Sequence, residues 1–180
     1  MIAMRPEPDC RLCGLCEGRT NMVMPSGDMN SKVAFVGEAP GENEDIHGKP
    51  FIGRSGMILE GMLSQEDISR DEVMITNTVK CRPPKNRDPT REEMAACRPF
   101  LESELFDKEL IICLGASACR SLLGYEGKLG AIVNTTQELE INGKKITVIP
   151  AYHPAACIYS RTSTSSLRDT ITTVKEYMIR

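Results

Sequence analysis

Apolar runs alternate along this chain with stretches whose apolar positions recur at helical spacing. KVAFVG (32–37) predicts a buried strand, VMITNTV (73–79) a β-branched second strand and LIICLG (110–115) a third. SGMILEGMLSQ (55–65) predicts a helix with Met57, Ile58 and Met62 on its apolar face; Leu59 and Leu63 fit that face less neatly. Thr90 followed by Glu93 makes a capping box that opens another helix. Pro99 is expected to kink it or to end a first segment near Arg98. ASACRSLLG (116–124) predicts a short helix closed by Gly124. QELEINGKKITVIP (137–150) predicts a hairpin around Asn142 and Gly143. Residues 165–180 predict a terminal helix, and the Ser/Thr run 162–166 reads as a mobile connector.

Such alternation predicts an α/β sandwich on a mostly parallel sheet. With 180 residues, no internal repeat and no clear linker, one domain spanning 1–180 is expected. Ligands of open α/β sheets bind outside the carboxyl ends of the strands. Here Glu38 follows VAFVG, Asn77 follows VMIT and His153 follows ITVIPAY. A parallel sheet would gather all three on one rim. Alone, each has an ordinary structural explanation; their shared position makes a site the better reading.

Composition narrows the partners. A net charge of −3 argues against indiscriminate nucleic-acid binding. A local patch exists all the same: Lys80, Arg82, Lys85, Arg87 and Arg91 face the single acid Asp88 within 76–91. It is either a solvated loop or an edge that contacts phosphates. No apolar run approaches the ~20 residues needed to cross a bilayer, and MIAMRPEPDC lacks the apolar core of a signal peptide. A cytoplasmic protein is expected, with no membrane partner.

Eight cysteines in a reducing compartment do not suggest a disulfide framework. Cys113 and Cys119 lie in apolar surroundings and read as small buried hydrophobes; Cys157 is ambiguous. Cys10-x2-Cys13 and the distant Cys81-x15-Cys97 supply four thiolates, suited on spacing alone to zinc or to an iron–sulfur cluster. Cys16 competes with Cys13 in the CxxCxxC run. A metal there would pin an N-terminal segment poor in secondary-structure signal to the basic loop.

CRLCGLCEGRTN, GEAPGENED with GKPFIGRSG, TNTVKCRPPKNRDPT, AACRP and HPAA stand in that order. Together they resemble the family-four uracil-DNA glycosylases, the iron–sulfur branch of that superfamily, from Cys10 to about Tyr159. The resemblance implies a three-layer α/β/α sandwich with a central four-stranded parallel sheet. It implies a 4Fe–4S cluster on Cys10, Cys13, Cys81 and Cys97, and hydrolysis of uracil from single- or double-stranded DNA to leave an abasic site. Phe51 would stack on the flipped base, and Ala39 and Glu44 would lie near it, Glu44 helping to refuse thymine. Other branches carry an aspartate where Ala39 stands.

The residues support such chemistry. Asn77 can accept from uracil N3–H and donate to O4, a pattern cytosine reverses. His153 can donate to O2 of the departing anion, and Glu38 can stabilise the sugar cation or activate water. After His153, PAACIYSR resembles the loop that enters the duplex, with Ile158 or Tyr159 as wedge and Arg161 on a phosphate. Lys80, Arg82, Lys85 and Arg87 are further candidates for DNA contact. A monomer is expected, and a replication-clamp contact is not readable from the sequence. The competing readings are a non-catalytic metal-bearing DNA module, disfavoured by the intact Glu38, Phe51, Asn77 and His153, and a branch trapped covalently on uracil DNA. The latter needs a histidine-bearing insertion, and CRPPKNRDPT contains none. A broader pocket would also accept other deaminated bases.

Overall fold

The computed structural model describes residues 4–180. Its centre is a six-stranded sheet in the order β1-β3-β2-β4-β6-β5. The strands are β1 (Ser26–Gly27), β2 (Val33–Gly37), β3 (Met74–Asn77), β4 (Leu110–Leu114), β5 (Gln137–Ile141) and β6 (Lys144–Ala151). The inner four, β3, β2, β4 and β6, run parallel, while β1 and β5 pair antiparallel at the two edges. The expected four parallel strands are therefore all present, and the sheet is wider than expected by two edge strands. One is the outer arm of the hairpin. The other, only two residues long, carries no apolar run that would announce it.

β2, β3 and β4 are buried along their whole length, as strands covered on both faces must be. One apolar cluster, with Phe35, Ile112, Leu63, Leu167 and Ile171, fills the layer under α2 (Arg54–Gln65) and α5 (Arg161–Met178). A second, with Val36, Ile111, Leu101, Leu105 and Leu122, fills the layer under α3 (Arg91–Leu105) and α4 (Ala116–Leu123). A short helix, α1 (Glu42–His47), follows β2 directly.

Local signals explain most boundaries. The Thr90 hydroxyl accepts from Glu93 N–H, and the Glu93 carboxylate accepts from Thr90 N–H, opening α3. Gly124, at φ 65°, ends α4 in the left-handed conformation. Asn142 and Gly143 both have positive φ, as a two-residue hairpin turn requires.

Three expectations are corrected. α3 does not end near Arg98 but continues through Pro99; Met94 and Cys97 before the proline pack with Leu15, Val79 and Cys81, and Leu101 and Leu105 after it pack on the sheet. Residues 162–166 are no connector but the first turns of α5, whose N-cap Ser160 accepts from Ser163 N–H. In α2 the buried face is Gly56, Leu59, Met62 and Leu63, while Met57 is 70% exposed. The rotation follows from Gly56, which packs on the Phe51 backbone and turns Met57 outward; a Cβ at 56 would lie 1.9 Å from the Phe51 carbonyl oxygen.

The N-terminal segment has little secondary structure but is firmly attached. Thr20 and Asn21 N–H groups donate to the Asp45 carboxylate, and Val23 N–H donates to the Lys80 carbonyl at 2.7 Å. Among the described residues, no helix is long and apolar enough to cross a membrane.

Candidate active site and cysteine cavity

The carboxyl ends of β2, β3 and β6 open on one cavity of about 470 Å³, lined by Glu38, Phe51, Asn77 and His153 with Ala39 and Glu44. Three residues separated by up to 115 positions thus share one hollow of the size small-molecule sites use. Two glycines pack directly against its lining side chains. A Cβ at Gly37 would lie 2.4 Å from Phe51 Cζ and 2.6 Å from Asn77 Oδ1. At Gly115, φ is 93°, and a Cβ would meet that of His153 at 3.2 Å.

The His153 ring sits 5.7 Å from that of Phe51, at 30°. Its Nδ1 accepts from Ala155 N–H at 3.0 Å. A neutral ring bonded in this way carries its proton on Nε2, which has no protein partner among the described residues. Burial pushes the histidine down to about 4, so it is neutral at physiological pH.

Glu38 is pushed the other way. Burial first, and then the neighbouring Asp88 carboxyl, raise it to about 7; the Ser117 hydroxyl and the Arg120 guanidinium oppose that rise. It is the ionisable group of the cavity poised near neutrality.

Phe51 is held from two sides. Arg70 donates to the Pro50 and Phe51 carbonyls at 2.9 and 2.8 Å. Glu44 accepts from the N–H groups of Gly41, Ile52 and Gly53 at 3.1, 3.2 and 2.7 Å. Glu44 therefore borders the cavity while its oxygens fasten the loop that carries Phe51. Phe51 itself has φ 51°, a left-handed conformation that costs of order 1 kcal/mol for a bulky residue.

Asn77 is placed by the chain below it. The buried Lys80 ammonium donates to the Asn77 carbonyl and the Thr76 hydroxyl, each at 2.7 Å, and to Glu104 at 2.8 Å. Lys80 is 1% exposed, which corrects its expected place on DNA: no phosphate can reach it. Arg87 does border the cavity, but its guanidinium is chelated by Glu93 at 2.6 and 3.0 Å. Arg82 donates to Asn86, and Lys85 is exposed. Ile158 is half-buried in a 3-10 turn, Pro154–Ile158, followed by Tyr159 at 87% exposure and by the exposed Arg161.

Cys10, Cys13, Cys81 and Cys97 line a second, much smaller cavity, together with Arg19 and Met22. Cys16 does not line it, which separates it from its rival Cys13. Arg19 Nη1 donates to the Cys10 carbonyl at 2.6 Å and lies 3.5 Å from Cys81 Sγ. Burial pushes Cys97 up to about 11. Among the described residues, no group of three or more His, Cys, Asp or Glu side chains is gathered as a single metal ion would need. Ala39 packs against the apolar group that contains Cys81 and Cys97, so one short segment touches both cavities. Cys157 packs against the core under α2 and α5.

Three neighbours of Glu38 escaped sequence reasoning: Asp88, Ser117 and Arg120. α4 begins just past the carboxyl end of β4, so the strand-end rule could have found Ser117. ASACRSLL reads as a plain apolar helix, and that obscured it.

The chain matches the model of the Uracil DNA glycosylase superfamily over residues 24–175. It is similar to the Type-4 uracil-DNA glycosylase of Thermotoga maritima, 42% identical over 158 residues covering 86% of this chain and 80% of that protein. The Archaeoglobus fulgidus Type-4 enzyme is 40% identical over 83% of this chain and 78% of its own length. A Type-5 uracil-DNA glycosylase of Pyrobaculum aerophilum is 34% identical over 74% of this chain and 65% of its own.

Proposed function

This chain belongs to the uracil-DNA glycosylase superfamily, excises uracil from DNA in repair, and from that premise we propose how its own residues divide the work. The reaction breaks the N1–C1′ bond, leaves the electron pair on the base and bonds a water oxygen to C1′. Uracil must first leave the duplex. Phe51, locked by Arg70 and Glu44, offers a ring face ready to receive it. The Asn77 carboxamide accepts from N3–H and donates to O4. Cytosine presents the opposite pattern and leaves both amide groups unpaired, which is how a polar site rejects a near-isostere.

As the bond stretches, negative charge grows on O2, and His153 Nε2–H donates to it. That step carries the proposal on one observation: Nδ1 is occupied by Ala155 N–H, so the neutral ring presents a donor to the cavity. Opposite it, the Glu38 carboxylate stabilises the sugar cation and takes the proton of the attacking water.

Because Glu38 is raised to about 7, it is protonated below that pH and a base above it. Single-turnover uracil release is therefore expected to rise through pH 7 and level off on the alkaline side. Glu38→Gln should be slow and flat across the same range. His153 at about 4 adds no limb between pH 5 and 8. Duplexes with U opposite G, U opposite A and T opposite G, cleaved at abasic sites with alkali, should give strand scission in the first two only. Scission at T·G, or a rising limb that survives Glu38→Gln, would refute these assignments.

The four cysteines fit a 4Fe–4S cluster in donor set and surroundings: four thiols lining one small cavity, an arginine beside them to offset thiolate charge, and apolar packing around. Several irons also spread their ligands further apart than one ion does. A cluster on Cys10, Cys13, Cys81 and Cys97 would supply a cross-link between the N-terminal segment and the 81–97 loop. The protein is expected to be brown, with broad absorption in the visible blue. Chelation of iron should expose residues 4–22 to protease. Colourless, zinc-loaded protein from anaerobic preparation would sink the cluster assignment and leave excision untouched.

A further inference from the structure

A third cavity, of about 440 Å³, is employed by no step above. It is formed by the first turns of α3 and the last turns of α4, and Arg91, Arg98 and Arg120 line it with Glu126. α3 is entered from the rim where β3 ends, and α4 leaves the same rim after β4. The α4 end of the cleft stands near the uracil site, for Arg120 lines the cleft and its charge is felt by Glu38.

Its three guanidiniums differ in commitment. Arg98 ties the two helices together: Nε donates to Glu102 at 2.9 Å, and Nη1 donates to the Ser121 carbonyl. Arg91 pairs with Glu126, but its side chain is 74% exposed, and an exposed pair of that kind is worth ~1 kcal/mol or less and opens readily. The Arg120 guanidinium makes no hydrogen bond and no ion pair among the described residues; its one electrostatic neighbour there is Glu38. Arg120 stands one turn after Ser117, the other residue of α4 that holds the Glu38 carboxyl down, so both lie on the face of α4 turned toward the site.

A chain of net charge −3 draws no DNA by its overall field, so phosphates must be met by local clusters. The basic loop is a weak one: Lys80 is buried and Arg87 is held by Glu93. We propose that the α3–α4 cleft seats a phosphodiester of the uracil-bearing strand, with Arg120 as its main contact and Arg91 exchanging Glu126 for the phosphate. The guanidinium fork matches two phosphate oxygens at once. The proposal rests on the glycosylase reading given above.

The test uses the whole protein and a duplex carrying a tetrahydrofuran abasic analogue, so that no chemistry intervenes. Arg120→Gln is expected to weaken binding roughly tenfold. The slope of log K against log salt should fall by about 0.7–0.9, the share of one phosphate. Arg120→Lys should restore most of the slope. Replacing single flanking phosphates by neutral methylphosphonates should reveal one position that costs the wild type but not Arg120→Gln. An unchanged slope, or methylphosphonate losses that add to the substitution at every position, would overturn the proposal. Wild-type protein that fails to release uracil would instead overturn the glycosylase reading. Thermal unfolding of the variant should match the wild type, since the Arg120 side chain makes no hydrogen bond or ion pair among the described residues.

Discussion

His153→Ala lowers single-turnover uracil release by about 10²- to 10³-fold while the protein stays folded and still binds abasic DNA. The magnitude is that of removing one preorganised donor from the developing anion of a buried site. The loss should fall on the rate at saturating DNA more than on the DNA concentration needed for half-maximal rate, because Nε2–H meets a charge that grows only as the N1–C1′ bond breaks. Raising the pH should not rescue the variant. The imidazole is already neutral in the wild type, so its contribution is a placed N–H rather than a titrating proton. Asn77→Ala should also lose excision, and additionally the preference for uracil over cytosine. A full wild-type rate in either variant would remove the shared pocket from the mechanism.

The largest effect on stability is expected away from the chemistry. Lys80→Ala should cost about 3–5 kcal/mol, the usual consequence of stripping one member from a buried ion pair. Glu104 would keep its charge beside Met74, Phe106 and Met22 after losing the lysine paired with it, and its Oε1 already has no hydrogen-bond partner. Thr76 and the Asn77 carbonyl would lose a donor at the same time. The midpoint of urea unfolding reads this directly. Adding Glu104→Leu to Lys80→Met should recover most of the loss, since an apolar pair leaves no orphaned charge. A midpoint within experimental scatter of wild type for Lys80→Ala would mean the pair contributes nothing.

The lysine also marks where the sequence was opaque. Read along the chain, Lys80 is one of five basic residues in a loop, and composition assigns such residues to solvent. Its partner Glu104 lies 24 positions on, in another helix, so no local pattern announces the pair. By contrast, the inner strands were legible because a strand buried on both faces must be continuously apolar, and 33–37 and 110–114 are. The polar residues just past them were then legible as a rim. Glu38, Asn77 and His153 followed from that rule, and the order of the motifs supplied Phe51.

The four cysteines could be sorted by spacing, but Cys16 was separated from Cys13 only by three-dimensional placement. The face of α2 was misjudged because Met57 looks as apolar as Leu59, and only the contact of Gly56 with the Phe51 backbone decides which of them turns inward. In the run 162–166 hydroxyl residues suggested a flexible link. Instead the Ser160 hydroxyl caps α5 and Thr164 donates to the Ser160 carbonyl, so these hydroxyls fasten the first turn of the helix.

The close packing of Gly37 and Gly115 against the pocket's own side chains constrains how this enzyme's descendants could change their diet. A side chain at 37 collides with Phe51 and Asn77, and one at 115 crowds His153 from a left-handed backbone that disfavours it, so new base preferences do not arise by remodelling there. They would have to come from the roof, through the Phe51 loop or the 83–87 segment, where a residue can be exchanged without displacing the groups that break the bond.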